Sequence, residues 1–232
     1  MPDTKLEDHL QQYTSDPVAR KAEFYRYYSN KRIQHQLMQL DMLRDVPGVH
    51  LSEIGSYLGF ATGLFSAAGF KVQTIDAAPT SMLGELTPQK HIEKNILEIV
   101  PEDMSGQDII VCCETLEHLH FTDVKSVLKK FQASKAEWLL ISVTYRTMSM
   151  DIRLIKNPFS SLFKSIIKFP SKTMQAFKEH PEPYGHKWEL GYKGYPLEKL
   201  TDALDEAGFR VEKKDYVGSV QSVFILSQRL PE

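Results

Sequence analysis

Two cysteines in 232 residues are too few for a disulfide framework. Cys112 and Cys113 are also neighbours that would face opposite ways on a strand, so they suggest no zinc site. No apolar stretch approaches the roughly 18 residues of a membrane span, and the polar start Met1 to Leu10 lacks the apolar centre of a secretory signal. The expectation is a cytoplasmic chain. An excess of one charge is missing as well. With 28 basic and 30 acidic residues, and a formal net charge of -2, the protein offers no broad electrostatic face to a polyanion, and duplex nucleic acid is not an expected partner. Internal repeats and low-complexity tracts are absent. What is present, 42% hydrophobic and 25% charged residues, is the composition of a globular chain that can fill a core, and residues 1–232 are read as a single domain.

Ser15-Asp16-Pro17 signals a helix start. A leading helix over residues 15–45 follows, with an apolar stripe through Phe24, Tyr28, Ile33, Leu37 and Leu40 and a place to break at Ser29-Asn30. Strands are expected at Val49 to Ile54, Lys71 to Ile75, His91 to Ile96, Asp108 to Cys113, Trp138 to Val143, Phe209 to Val217 and Ser222 to Leu226. Helices fit at Leu58 to Ala68, Asp123 to Ser134 and Leu197 to Ala207, the first closed by Gly69 and the last by Gly208. Alternating strands and helices imply an α/β fold, doubly wound around a mostly parallel seven-stranded sheet. The last two strands leave no room for a crossover helix and should form an antiparallel hairpin. Residues 147–194 are too long for a plain connection and read as a lid-like insertion. Within it, Leu162, Phe163, Ile166 and Ile167 recur at helical spacing with Lys164 and Lys168 on another face, predicting a basic amphipathic helix over Ser160 to Phe169. Six Lys or Arg against two acids between Asp151 and His180 make this region a candidate for peripheral membrane contact.

The run Leu51-Ser52-Glu53-Ile54-Gly55-Ser56-Tyr57-Leu58-Gly59 ends a strand in a glycine-bearing loop, and Asp76 ends the next strand. In open parallel sheets ligands sit beyond the carboxyl ends of the strands, where glycine lets backbone approach them closely. A dinucleotide fingerprint would need glycine at Tyr57 and Phe60, so that reading fails. With Asn95-Ile96-Leu97 and Glu114-Thr115-Leu116-Glu117-His118 following in order, the chain resembles the class I S-adenosylmethionine (SAM)-dependent methyltransferases over roughly Val49 to Val143. It departs from them at Tyr57, where the family usually has glycine. The resemblance implies SAM as cofactor. It assigns Glu53 to the methionine end, Asp76 to the ribose hydroxyls and Asn95 to the adenine amino group, with Gly55, Ser56, Tyr57, Gly59, Ala77, Ile96 and Glu114 around them.

Glu114, Glu117 and His118 stand at i, i+3 and i+4, so on a helical turn they would share one face. Together with His186 they are candidate ligands for Mg²⁺ or Mn²⁺. A similar Glu-x-x-Glu-His arrangement occurs in ubiquinone-biosynthesis O-methyltransferases and in small-RNA 2′-O-methyltransferases; the latter add a downstream histidine, which His186-Lys187-Trp188-Glu189 resembles. The same histidines offer a general base, with His118 and His186 ahead of His120, Tyr145 and Tyr184. The expected activity is methyl transfer to an oxygen of a small-molecule or lipid-linked acceptor. The alternatives are a metal-dependent RNA-end methyltransferase and a SAM-binding module without catalysis.

Overall fold

A computed structural model describes residues 17–78, 90–146, 148–157, 160–169, 175–180, 185–217 and 221–231. Two helices lead, α1 (Pro17–Tyr27) and α2 (Asn30–Met42), and the break between them falls at Tyr28-Ser29, one residue before the expected one. The sheet elements then run β1 (His50–Ile54), α3 (Phe60–Ala67), β2 (Lys71–Asp76), β3 (Lys90–Glu93), β4 (Ile109–Cys113), α4 (Phe121–Ala133) and β5 (Trp138–Thr144). After the hairpin strands β6 (Met148–Asn157) and β7 (Ser160–Phe169) come α5 (Leu197–Glu206), β8 (Phe209–Val217) and β9 (Ser222–Arg229).

Seven strands form one sheet in the order β3-β2-β1-β4-β5-β9-β8. The neighbours from β3 to β5 pair in parallel, and β9 runs antiparallel to both β5 and β8. The doubly wound, mostly parallel sheet is therefore as the alternation of elements implied. Side chains alternate across it. Ile54, Ile75, Ile110, Cys112, Leu139 and Ile141 join the core layer that contains Val124, Val127, Leu200 and Leu204 of α4 and α5. Leu51, Val72, Ile109, Val111 and Leu140 join Met42 of α2 and Ala61 and Phe65 of α3 on the other face. Cys112 and Cys113 are free thiols assigned to opposite layers. Because five strands are parallel, their carboxyl ends lie along one edge, and the loops leaving that edge carry the candidate site.

Two expectations are corrected. Ser160 to Phe169 is not a helix: it is strand β7, paired antiparallel with β6 so that Met150 lies opposite Ile167 and Leu154 opposite Phe163. A short apolar run fits either period, and here β-branched isoleucines and an extended neighbour of matching length decide for the strand. The buried face of α2 is also not the one its apolar residues suggest. His35, Gln39 and Met42 are buried, while Leu37 is 49% exposed, because the helix turns a polar pair toward a carboxylate described below. Among the described residues no helix is long and apolar enough to cross a membrane.

Candidate cofactor and acceptor site

The first half of the site is built on β1 and β2. After Ile54 the chain turns through Gly55 (φ 80°), Tyr57 (φ 46°) and Gly59 (φ 74°) into α3. A Cβ on Gly55 would come within 2.3 Å of Thr115 Oγ1, so the β1 loop and the turn after β4 can approach only because that residue has no side chain. Asp76 closes the loop from the next strand, its carboxylate accepting the backbone N–H groups of Tyr57 and Ala78, both at 2.8 Å. Burial raises the Asp76 pKa and these backbone donors pull it back. His91 on β3 supports the same corner. Its Nδ1 takes the Thr74 hydroxyl at 2.7 Å and its Nε2–H donates to Ala78 carbonyl at 2.9 Å.

Glu53 is buried on the α3 side of β1 and accepts the hydroxyl of Thr62. Desolvation pushes its pKa up to about 8, Thr62 lowers it, and the Asp76 charge raises it further. Ser56 Oγ is buried with no partner among the described residues. Tyr57, the departure from the usual glycine, packs half-buried beside Tyr28, Leu58 and Ala78; Tyr28 in turn meets Phe24 and Phe60 in tilted ring contacts at centroid distances of 4.7 and 5.0 Å. The side chain at this position thus belongs to an aromatic cluster that ties α1 to the glycine loop. Asn95 and Ile96 follow β3, and the Asn95 amide oxygen accepts Leu97 N–H at 2.9 Å, forming a local turn that fixes this amide. Glu53, Gly55, Ser56, Tyr57, Gly59, Asp76, Ala77, Asn95 and Ile96 thus all lie within or just beyond the ends of β1, β2 and β3. An alcohol-lined, glycine-bearing loop, an orphaned hydroxyl and a carboxylate that still has free lone pairs fit a nucleoside ligand.

The second half starts where β4 ends. Glu114 sits in left-handed backbone (φ 50°), and its carboxylate accepts Ser142 Oγ–H at 3.1 Å and His35 Nε2–H at 3.2 Å. Gln39 Nε2 donates to the other ring nitrogen of His35 at 3.4 Å, which assigns the Nε2–H tautomer to that ring. Burial would raise the Glu114 pKa, but the hydrogen bonds from His35 and then Ser142 hold it below the ordinary carboxylate value. Glu117 behaves oppositely. It is wholly buried; its Oε1 accepts Thr144 N–H at 3.2 Å, while Oε2 has no partner among the described residues. Desolvation, then the charge of Glu114, lift its pKa well above the usual carboxylate range.

His118 closes the turn Leu116–His118, and its ring lies 5.0 Å from that of His186. The segment bearing His186 is fastened along the same edge by Lys187 N–H to Glu117 carbonyl at 2.7 Å and Leu190 N–H to Thr144 carbonyl at 3.0 Å. Trp188, fully buried, adds Nε1–H to Leu119 carbonyl at 3.1 Å. The two histidines expected to act together are therefore adjacent. The four-residue metal set is not assembled. Among the described residues no group of three or more His, Cys, Asp or Glu side chains is placed to hold an ion. Glu114 is committed to His35 and Ser142, and Glu117 is wholly buried, with Oε1 taken by Thr144 N–H. His120 is exposed at the start of α4, Tyr145 is half-buried near Tyr216, and Tyr184 lies outside the described residues. The sequence reading missed His35, Thr62, His91, Ser142 and Thr144. His35 and Gln39, one helical turn apart, carried a faint signal as a polar pair on one face of an otherwise packed helix.

No protein-family profile and no curated protein sequence matches this chain. Solved structures do. The DhpI complex with S-adenosylhomocysteine aligns over 97% of both chains at 13% identity with a TM-score of 0.62. Magnesium protoporphyrin IX methyltransferase (ChlM) from Synechocystis PCC 6803 with bound SAM aligns over 96% of both at 12% identity and TM-score 0.59. The glycopeptide N-methyltransferase MtfA complexed with SAM aligns over 88% of this chain and 96% of its own at 14% identity and TM-score 0.56. The chain has the fold these proteins share.

Proposed function

We propose that this protein transfers a methyl group from SAM to an oxygen of a small-molecule or lipid-linked acceptor. The observation that carries the reading is the pairing, along one sheet edge, of a nucleoside-type corner with a histidine pair. The corner is formed by Asp76, Gly55 and Glu53 at the ends of β1 and β2; His118 and His186 stand beyond β4 and β5. Likeness of fold to SAM-binding structures supports it, as does the order of the motifs.

SAM supplies an electrophilic methyl group when bound. The residues of this chain would hold it through the free lone pairs of Asp76, the loop backbone at Gly55 to Gly59 and the buried carboxyl of Glu53. Glu53, neutral when it faces only Thr62, would ionise against a cationic amine, because an opposite charge offsets the desolvation that keeps it protonated. On the acceptor side the chain needs to orient a hydroxyl, exclude water and receive one proton. A groove of about 690 Å³ lies along α4 and α5, lined by His120, Phe121, Tyr195 and Lys199. Contact of the β6–β7 hairpin with an anionic surface belongs to the same reading of a lipid-linked acceptor.

The test is calorimetric titration with SAM and with S-adenosylhomocysteine, followed by measurement of S-adenosylhomocysteine released when phenols, hydroxy acids and lipid extracts are offered. Micromolar binding and acceptor-dependent release are expected. A folded protein that binds neither nucleoside would sink the proposal, and turnover abolished by chelator would return the metal-dependent alternative.

A further inference from the structure

Beside the two histidines stands a carboxylate that the proposed chemistry has not used. Glu189 Oε1 lies 2.8 Å from His186 Nδ1, and the two side chains are only 14% and 25% exposed. The ring they share is held on two more sides. His180 stacks on it at a centroid distance of 5.6 Å and an interplanar angle of 4°, and His118 meets it edge-on at 5.0 Å and 73°. The pair cannot drift together as a loop. Trp188 between them is fully buried, and Leu190 is bonded into the extension of β5. Gly191 (φ 89°) approaches Arg146 so closely that a Cβ there would sit 2.2 Å from its carbonyl oxygen.

From this geometry we infer that Glu189 is a positioning residue, fixing His186 in the Nδ1–H tautomer so that Nε2 is the proton acceptor for the methyl acceptor's hydroxyl. The inference rests on the methyl-transfer reading above. A carboxylate on Nδ1 can only accept, so in the neutral ring the proton resides there and the lone pair at Nε2. As the acceptor oxygen forms its bond to the methyl carbon, the carbon–sulfur pair returns to sulfur and the hydroxyl proton passes to Nε2. The imidazolium so formed keeps its second N–H against Glu189, whose negative charge stabilises it where water is scarce. His180 and His118 hold the ring plane, and neither needs to change protonation for the step to proceed.

The experiment uses the full chain labelled with ¹⁵N-histidine, and reads the His186 tautomer by NMR in alkaline buffer in the wild type, Glu189→Gln, Glu189→Ala and Glu189→Asp. In parallel, release of S-adenosylhomocysteine is measured with phenols and hydroxy acids as acceptors. The wild type should show His186 protonated at Nδ1, and Glu189→Ala should shift it toward the Nε2–H form. Turnover should fall by at least about tenfold in Glu189→Gln, part of the roughly 100-fold or more that general-base catalysis contributes. KM for the acceptor and SAM affinity should stay within about twofold, and Glu189→Asp should recover part of the loss. If Glu189→Ala fails to fold, the near-isosteric Glu189→Gln carries the kinetic arm. A wild-type His186 protonated at Nε2, or Glu189→Gln turning over like the wild type, overturns the inference. A wild type that binds no SAM but shows the Nδ1–H tautomer overturns the methyl-transfer reading and leaves the positioning intact.

Discussion

At the scale of single residues the site is governed by how each carboxyl group settles its burial. Glu53, Asp76, Glu114 and Glu117 lie along one edge, and only Glu114 has gathered enough donors to fall below its ordinary pKa. Glu53 has one, and its pKa is pushed up to about 8 from 4.5. A carboxyl held above its unfolded value stabilises the fold fully at pH below about 4.5, and that contribution is lost as pH rises through about 8, because the unfolded chain releases the proton first. Chemical denaturation of the ligand-free protein at several pH values should therefore show Glu53→Gln declining less steeply than the wild type between pH 4.5 and 8. Parallel curves would mean that Glu53 is already ionised in the fold. For Asp76, replacement by asparagine keeps the size but removes charge and one of two accepting oxygens. SAM affinity should fall roughly 10- to 100-fold, the range for hydrogen bonds to charged groups, with the unfolding midpoint changed much less. Calorimetry on the folded variant decides it, and unchanged affinity would remove Asp76 from the ribose site.

At the scale of elements, α2 is joined to the sheet by a polar contact where an apolar one was expected. His35 packs against Phe224 of β9, ring centroids 4.5 Å apart and planes tilted by 49°, and donates to Glu114. Replacing it with leucine leaves a partly buried carboxylate without one of its donors, a loss on the order of 1.5–3 kcal/mol, while His35→Leu combined with Glu114→Gln should recover much of it. Urea unfolding of the two single variants and the double variant measures the coupling, and additive losses would show that the pair does not act together. This contact also shows what the sequence could convey. Strands that are apolar at nearly every position, such as Ile109 to Cys113 and Leu139 to Val143, were legible because burial on both faces leaves a mark at every position. The glycine loop and Asp76 were legible for the same reason: few residue types satisfy a left-handed turn or a strand-end carboxylate. The face of α2 was not, since a buried histidine is specified by a partner 79 positions away (Glu114) and not by anything near it. The β6–β7 hairpin was misread because its isoleucines fit a helical and an extended period equally, and only the pairing partner separates them.

At the scale of the whole molecule, β6 and β7 pair with each other and stand apart from the seven-stranded sheet. Replacing residues 148–169 with a short Gly-Ser link should therefore leave SAM affinity within about threefold while acceptor turnover or binding to anionic vesicles falls. Calorimetry and vesicle co-sedimentation separate the two effects, and loss of SAM binding would mean that the hairpin supports the sheet after all. Ligand should also be visible in thermal melts. SAM at about 100 times its Kd contributes about 2.7 kcal/mol, which for a chain of this size is an upward shift of roughly 5–10 °C.

The order of the sheet imposes a timetable on biosynthesis. β9, made after the other six strands, is the one that lies between β5 and β8, and β8 has no other neighbour in the sheet. A nascent chain can complete the parallel half of the sheet while it is still being translated, yet the edge of β5 stays open until Ser222 to Arg229 has cleared the ribosome and slid in. Until then Leu139, Ile141 and Val143 border an unpaired backbone edge of the kind that recruits foreign strands. The interval between translating Thr144 and translating Arg229, lengthened by the insertion that separates them, is thus the window in which that edge is open to mispairing.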